Sequence, residues 1–240
     1  GAMVDALASM HRLPLPPRDQ RAPLQDPADP LAALAAEIDA MAAHLDAAAL
    51  AAAARRGIDT ELARWRRVLA ADARPPVRLI AFDAHPGNYL RRHADGRAIL
   101  VDLEKARYGA AACDLAHATQ YTSTTWDLHA RADLSVQDVV GAYARWRDAM
   151  PADAVAAETA WWLPLRRAMW LWSVTWCAMW RATSDAAPRG DGHGADWSAA
   201  HSAAALAAHV RERVDHYLSA DGVARVLEEV RSAAEDYLGR

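Results

Sequence analysis

Between residues 77 and 101 the sequence stops repeating at helical intervals and breaks into three short apolar runs separated by turn formers. Residues 77–80, 88–92 and 98–101 each read as a strand, and His93-Ala-Asp95-Gly96 joins the last two. Asp-Gly is a strong hairpin signal, because glycine takes positive φ without a steric penalty. The pair is therefore predicted to be antiparallel, with a chemical consequence. A hairpin returns Asp102, at the end of its second strand, to the neighbourhood of Asp83 and Asn88, which lead into its first. Asn88 and Asp102, fourteen residues apart, then share one locus.

Around this segment the pattern is helical. Asp29 is placed to cap a helix that Pro30 opens, and Leu31, Leu34, Ile38, Met41 and Leu45 form one apolar stripe at steps of three and four. Gly57 is expected to stop that helix and Asp59 to cap the next, whose apolar face is Leu62, Trp65 and Leu69. After Ala111 everything reads as helix. Ser135 with Asp138 three residues later resembles a capping box. Pro151 is expected to start a helix reaching about Arg181 and bent at Pro164. A polar loop over 184–196 and helices over 198–218 and 223–238 complete the expectation. The first thirty residues hold six of the twelve prolines and read as an extended connector after a short helical piece at 4–11. The opening Gly1-Ala2-Met3 looks like a remnant of tag removal and is left out of the expected fold. The expected division is thus a connector over 4–30 and a helical unit over 31–240 with its hairpin segment at 77–105.

Composition narrows the function classes. A chain of 240 residues, 53% of them apolar, can bury a sizeable core. The longest apolar run, 168–180, is shorter than the roughly 20 residues that a bilayer requires, so no membrane partner is expected. A net charge of −4 argues against a general nucleic-acid binder, because phosphate-backbone affinity comes from clustered cations. The opening shows no secretory leader, and Cys113 and Cys177 show no metal-ligand spacing, which suits a reducing cytoplasm. Among 27 cationic residues Lys105 is the only lysine.

Two carboxylates and an amide gathered at a hairpin meet the demands of phosphoryl transfer. The transition state is loose, so the protein mainly positions groups and neutralises charge. One carboxylate must take or orient the acceptor hydroxyl's proton, and hard oxygen ligands must hold Mg²⁺ on the phosphates. Asp83 lies in a loop after a strand, and Asn88 follows it by five positions, the catalytic-loop spacing of protein kinases.

The run Phe82-Asp83-Ala84-His85-Pro86-Gly87-Asn88 with Val101-Asp102-Leu103-Glu104 resembles the aminoglycoside phosphotransferase and choline kinase family. Asp114-Leu115-Ala116, after Tyr108-Gly109, is similar to that family's next segment, and Leu7-Ala-Ser-Met-His11 to its helix between the two lobes. The resemblance is tight over 78–126 and loose beyond. It implies a mainly α fold with a small β-hairpin, the C-terminal lobe of a protein-kinase-like fold. It also implies transfer of the γ-phosphoryl of ATP or GTP to a small-molecule hydroxyl, aminoglycoside-like or amino-alcohol-like. By the same resemblance Asp83 is the catalytic base, Asn88 and Asp102 hold Mg²⁺ and the nucleotide, and Glu104 is a supporting carboxylate. There are two departures. Ala81 stands where the family has a histidine, and ahead of Asp83 the chain shows two helices and a connector in place of an N-terminal lobe. Lys105 follows the motif, so it is not the lysine such a lobe supplies from a strand. The expectation is an isolated C-lobe, with an incomplete site and a missing N-lobe as partner. The alternative is a non-catalytic kinase-like binding or scaffold module.

Other residues carry plainer readings. Asp83, Asn88 and Asp102 taken singly are ordinary turn residues. His85 reads as a loop-structuring support and His117 as a packing histidine. A metal hydrolase built on them lacks any tight ligand spacing. Trp161, Trp162, Trp170, Trp172, Trp176 and Trp180 crowd one helix that is apolar all round, which suits core packing. Trp126 and Asp127, just past the motif, are better placed to contact a cationic or planar substrate. Arg166 and Arg167 are expected in surface or inter-helix ion pairs.

Overall fold

The Asp29 cap forms as expected. In the computed structural model, which describes residues 1–186 and 204–233, its carboxylate accepts from Leu31 N and Ala32 N, and helix α2 runs Pro30–Ala42. All five residues of the predicted stripe are buried, although the helix ends at Ala42 and Leu45 lies in the turn beyond. Before α2 comes α1 (Ala2–His11), followed by an extended connector with one 3-10 turn at Arg18–Gln20. The connector is anchored: Gln25 bridges Arg107, and Tyr108 N donates to Gln25 O at 2.9 Å. Met3, expected to stand outside the fold, packs in α1 against Leu7, Ala81, Ala84 and Ala118.

Gly57 does not end a helix. It sits inside α3 (Ala52–Leu69), and Asp59, expected as a cap, is likewise internal to α3. A Cβ at Gly57 would meet Val223 Cγ1 at 2.8 Å and Leu227 Cδ1 at 3.1 Å, so the glycine permits close approach of a helix from the other end of the chain. Distant packing, which local patterns do not report, decides that position.

Two small antiparallel sheets follow. The predicted hairpin pairs β2 (Tyr89–Arg91) with β3 (Ala98–Leu100), and Gly96 at its turn has φ +70°. The strand at 77–80 appears as β1 (Arg78–Ile80), but its partner is an unpredicted β4 (Arg107–Gly109). The loop carrying Asp83 therefore leaves β1 and the loop carrying Asp102 returns to β4, so one sheet clamps both ends of the segment.

Among the described residues the remainder is mostly helical, with a loop after Thr124. After α4 (Ala111–Thr119) and the short α5 (Tyr121–Thr124), residues 125–134 form a loop, against the expectation of continuous helix. Helix α6 (Val136–Ala149) starts at the predicted capping box. The bend expected at Pro164 falls earlier. α7 (Ala152–Glu158) gives way to a 3-10 turn at Thr159–Trp161, and α8 (Trp162–Ala186) takes Pro164 into its first turn, where the missing N–H costs nothing. The last described elements are α9 (Ala204–Tyr217) and α10 (Ala220–Ala233). The expected loop at 184–196, and the outer ends of the last two predicted helices, fall largely outside the described residues.

One apolar cluster runs from Val4 to Ala233, with α8 at its centre. Trp162 and Trp170 are fully buried there, and Trp172, Trp176 and Trp180 pack against it. Arg166 and Arg167 form inter-helix ion pairs: fully buried Arg166 bonds Glu229 of α10, and Arg167 Nη1 lies 2.7 Å from Glu61 of α3. Among the described residues no helix is long and apolar enough to cross a membrane.

Candidate active site

Phe82 and Asp102 depart from ordinary backbone geometry. Their φ angles of 65° and 57° lie in the left-handed region that costs a non-glycine residue roughly 1–2 kcal/mol. Such strain persists where surrounding structure imposes it. At Phe82 the imposing group is Asp114, fully buried in α4. Its carboxylate accepts from Ala81 N at 2.8 Å and Phe82 N at 2.7 Å. It also accepts from His11 Nε2 of α1 at 3.0 Å, while His11 Nδ1 accepts from Trp146 Nε1 of α6 at 2.9 Å. An indole N–H only donates, which places the histidine proton on Nε2. Three helices thus hold the backbone just ahead of Asp83.

The loop itself is self-bonded. His85 Nδ1 accepts from Gly87 N at 3.1 Å and opens the 3-10 turn Pro86–Asn88, so His85 structures the loop as read from sequence. Asn88 Nδ2 donates to Asp83 O at 2.8 Å, and no described residue bonds its Oδ1. Val101 N donates to Asn88 O at 2.9 Å, so Asn88 faces the residue before Asp102. The hairpin therefore brings Asn88 and Asp102 together.

Asp83 meets two side chains. Its Oδ2 lies 2.5 Å from Lys105 Nζ and its Oδ1 3.6 Å from His117 Nδ1. Burial works against the charged carboxylate, but the positive charges facing it (His117 when protonated, Lys105 and His85) outweigh burial and hold it below the usual range. Burial pushes His117 down to about 4, against the pull of Asp83, so at neutral pH its ring is uncharged and Lys105 is the ion partner. His117 packs edge-on to Trp172, which also meets Phe82 edge-on at 5.2 Å.

The other expected residues divide. Asp127 lies against the loop: a Cβ on Gly87 would stand 2.7 Å from its Oδ2. It caps the turn at His129 N and Ala130 N; burial disfavours its charge, yet those bonds and the nearby His85 keep its carboxyl below the usual range. Trp126 packs inward, edge-on to Trp176 and stacked near Tyr217, which makes it chiefly structural. Glu104 is exposed and makes no hydrogen bond or ion pair among the described residues, so it does not brace the site here. Three residues were not read as part of the site: Lys105, signalled only by being the sole lysine, three residues after Asp102, and Asp114 with His11, whose segments carried the family resemblance but no sign that the two side chains pair.

Mg²⁺ fits this donor set. Among the described residues no three His, Cys, Asp or Glu side chains converge on one point. A pair of oxygen donors beside a substrate's phosphates is nevertheless how Mg²⁺ is usually held. Asn88 Oδ1 and the Asp102 carboxylate, which no described residue engages, are the residues that would hold it, and the ion would supply charge neutralisation on the phosphates.

The sequence profile of the phosphotransferase enzyme family matches residues 1–149, more than half of the chain. The chain belongs to that family. Membership in the phosphotransferase family bears out the resemblance read from the segment at 78–126, and the matched span contains α1, both sheets, the Asp83 loop and α4 through α6. No curated protein matches the chain.

Proposed function

We propose that this member of the phosphotransferase family transfers the γ-phosphoryl group of ATP or GTP to a hydroxyl of a small molecule. The observation that supports the reading is that Asn88 ties the Asp83 loop to the segment ending at Asp102, its Nδ2 donating to Asp83 O and its O accepting from Val101 N, with left-handed backbone at Phe82 and Asp102. Asp83 accepts the acceptor hydroxyl's proton. Asn88 and Asp102 hold Mg²⁺, which neutralises phosphate charge when bound. Leu90 and Ile99 are cross-strand partners, 59% and 44% exposed, and offer the nucleoside base an apolar surface beside those ligands. Asp127, whose Oδ2 lies against Gly87 of the Asp83 loop, favours a cationic alcohol as acceptor.

The test is transfer of labelled γ-phosphate from Mg·ATP and Mg·GTP to a panel of amino alcohols and aminoglycosides. Asp83→Asn is expected to lower turnover by about 10²–10⁴-fold, the usual contribution of a positioned base. Equal rates in Asp83→Asn and the parent chain exclude the assigned role. Tight nucleotide binding without any turnover favours a binding module instead.

A further inference from the structure

We propose that Lys105 is a catalytic cation that meets the transferring phosphoryl group, an inference that rests on the phosphotransfer reading of the same site. Lys105 Nζ lies 2.5 Å from Asp83 Oδ2 in the unliganded chain. The lysine side chain is 40% exposed and the aspartate 16%, so the pair sits at the mouth of the site with the ammonium outermost. As a device for stability a half-exposed ion pair contributes little. As a partner for a base it is odd, because it neutralises the group that has to take a proton. Both facts make sense if the ammonium has another ligand during the reaction.

Geometry supplies that ligand. A base works within about 2.6–3.2 Å of the hydroxyl whose proton it takes. The hydroxyl oxygen in turn stands roughly 3–3.5 Å from the phosphorus it attacks. A cation resting on the base is thus one short swing from the phosphoryl oxygens. The turn that follows Asp102, closed by Ala106 N donating to Leu103 O at 3.0 Å, brings Lys105 back over Asp83. The metal-ligand candidate and the cation therefore approach the phosphate from one segment. Arg107, two residues on, is unavailable, being 2.5 Å from Glu37 and stacked 3.6 Å over the Phe82 ring. An ammonium has three donors on a flexible stem, so it can leave Asp83 without backbone movement.

In the step itself, the acceptor oxygen's lone pair forms the new bond to γ-phosphorus. The bond from that phosphorus to the bridging oxygen breaks, and its electron pair leaves on the nucleoside diphosphate. The hydroxyl proton passes to the Asp83 carboxylate. Lys105 keeps its protons and donates to the equatorial oxygens, over which the transferring group's negative charge is spread.

Because Lys105 is the chain's only lysine, its acetylation by an N-hydroxysuccinimide acetate is read from one peptide, with the N-terminal amine as reference. The full chain is labelled alone, with Mg·ADP and with Mg·ATP, and nucleotide binding is followed in parallel by equilibrium dialysis. At about ten times its Kd, Mg·ATP is expected to slow acetylation about tenfold. Mg·ADP, lacking the γ-phosphoryl, protects far less. In Asp83→Asn the free chain is acetylated faster, yet protection by Mg·ATP persists. In turnover, Lys105→Met lowers kcat by about 10²-fold with little change in nucleotide KM, and Lys105→Arg recovers part of the loss. Bound Mg·ATP that leaves acetylation unchanged, or protection that vanishes in Asp83→Asn, reduces Lys105 to a structural ion partner and overturns the proposal. Absence of nucleotide binding in dialysis overturns the reading that this chain by itself transfers a phosphoryl group, and the role of Lys105 with it, whereas binding without protection overturns the role of Lys105 alone.

Discussion

Removing the carboxylate of Asp114 tests whether the Asp83 loop is held in strain from beneath. In Asp114→Ala, Ala81 N–H, Phe82 N–H and His11 Nε2–H all lose their acceptor in a site with no solvent access. An unsatisfied buried donor costs about 1–3 kcal/mol. Three of them, partly relieved by water entering the truncated space, amount to about 3–6 kcal/mol. For a chain of this size each kcal/mol moves Tm by roughly 2–4 °C, so a fall of at least about 6 °C is expected. Asp114→Asn should cost less, about 2 kcal/mol, because the amide oxygen can replace Oδ2 and serve Ala81 and His11 while only Phe82 N–H is opposed. Thermal melting by circular dichroism gives the ordering, and hydrogen exchange at the Phe82 amide shows where the loosening occurs. If both variants melt within about 2 °C of the parent, the carboxylate does not hold the loop and the reasoning fails.

Three further outcomes follow from other positions. Gly57→Ala, normally helpful in a helix by up to about 1 kcal/mol, is expected to destabilise by about 1–2 kcal/mol through overpacking against Val223; a higher Tm contradicts this. His117, buried and pushed down to about 4 from an ordinary 6.5, stays unprotonated in the fold while the unfolded chain takes up a proton. Its contribution is therefore complete above pH 6.5 and is lost as pH falls towards 4, by about 3 kcal/mol in all; urea melts of His117→Gln should lack that component. Glu158 behaves in the opposite sense. Burial raises it from 4.5 to about 7 despite Arg78, so the folded chain holds its proton longer and stability falls as pH rises between those values. Relative to the parent, Glu158→Gln should gain about 3 kcal/mol from pH 4.5 to beyond 7, and a pH-independent difference refutes the assignment.

The legible parts of this protein were those whose causes lie within a few residues. Asp29 caps α2 through amide groups two and three residues away, Ser135 and Asp138 cap each other, and Gly96 turns the hairpin because it tolerates positive φ. The hairpin of the candidate site was legible for the same reason, being a local structure that brings the backbone of Asn88 against Val101. Gly57 was misread because its role is set by Val223, far along the chain. β4 was missed because Arg107–Gly109 is a strand only by virtue of pairing with β1.

The sequence alone therefore determined the side chains offered, Asp83 in the loop before a turn-closed hairpin and Asn88 and Asp102 at the hairpin's two ends. The tertiary structure decided how those side chains are held and what faces them. Lys105 reaches Asp83 across 22 residues, and His11 reaches Asp114 across 103. Contacts of that span leave no periodicity or cap in the chain, since neither partner constrains the other's local backbone. They exist only once the helices have packed and brought the partners within bonding distance.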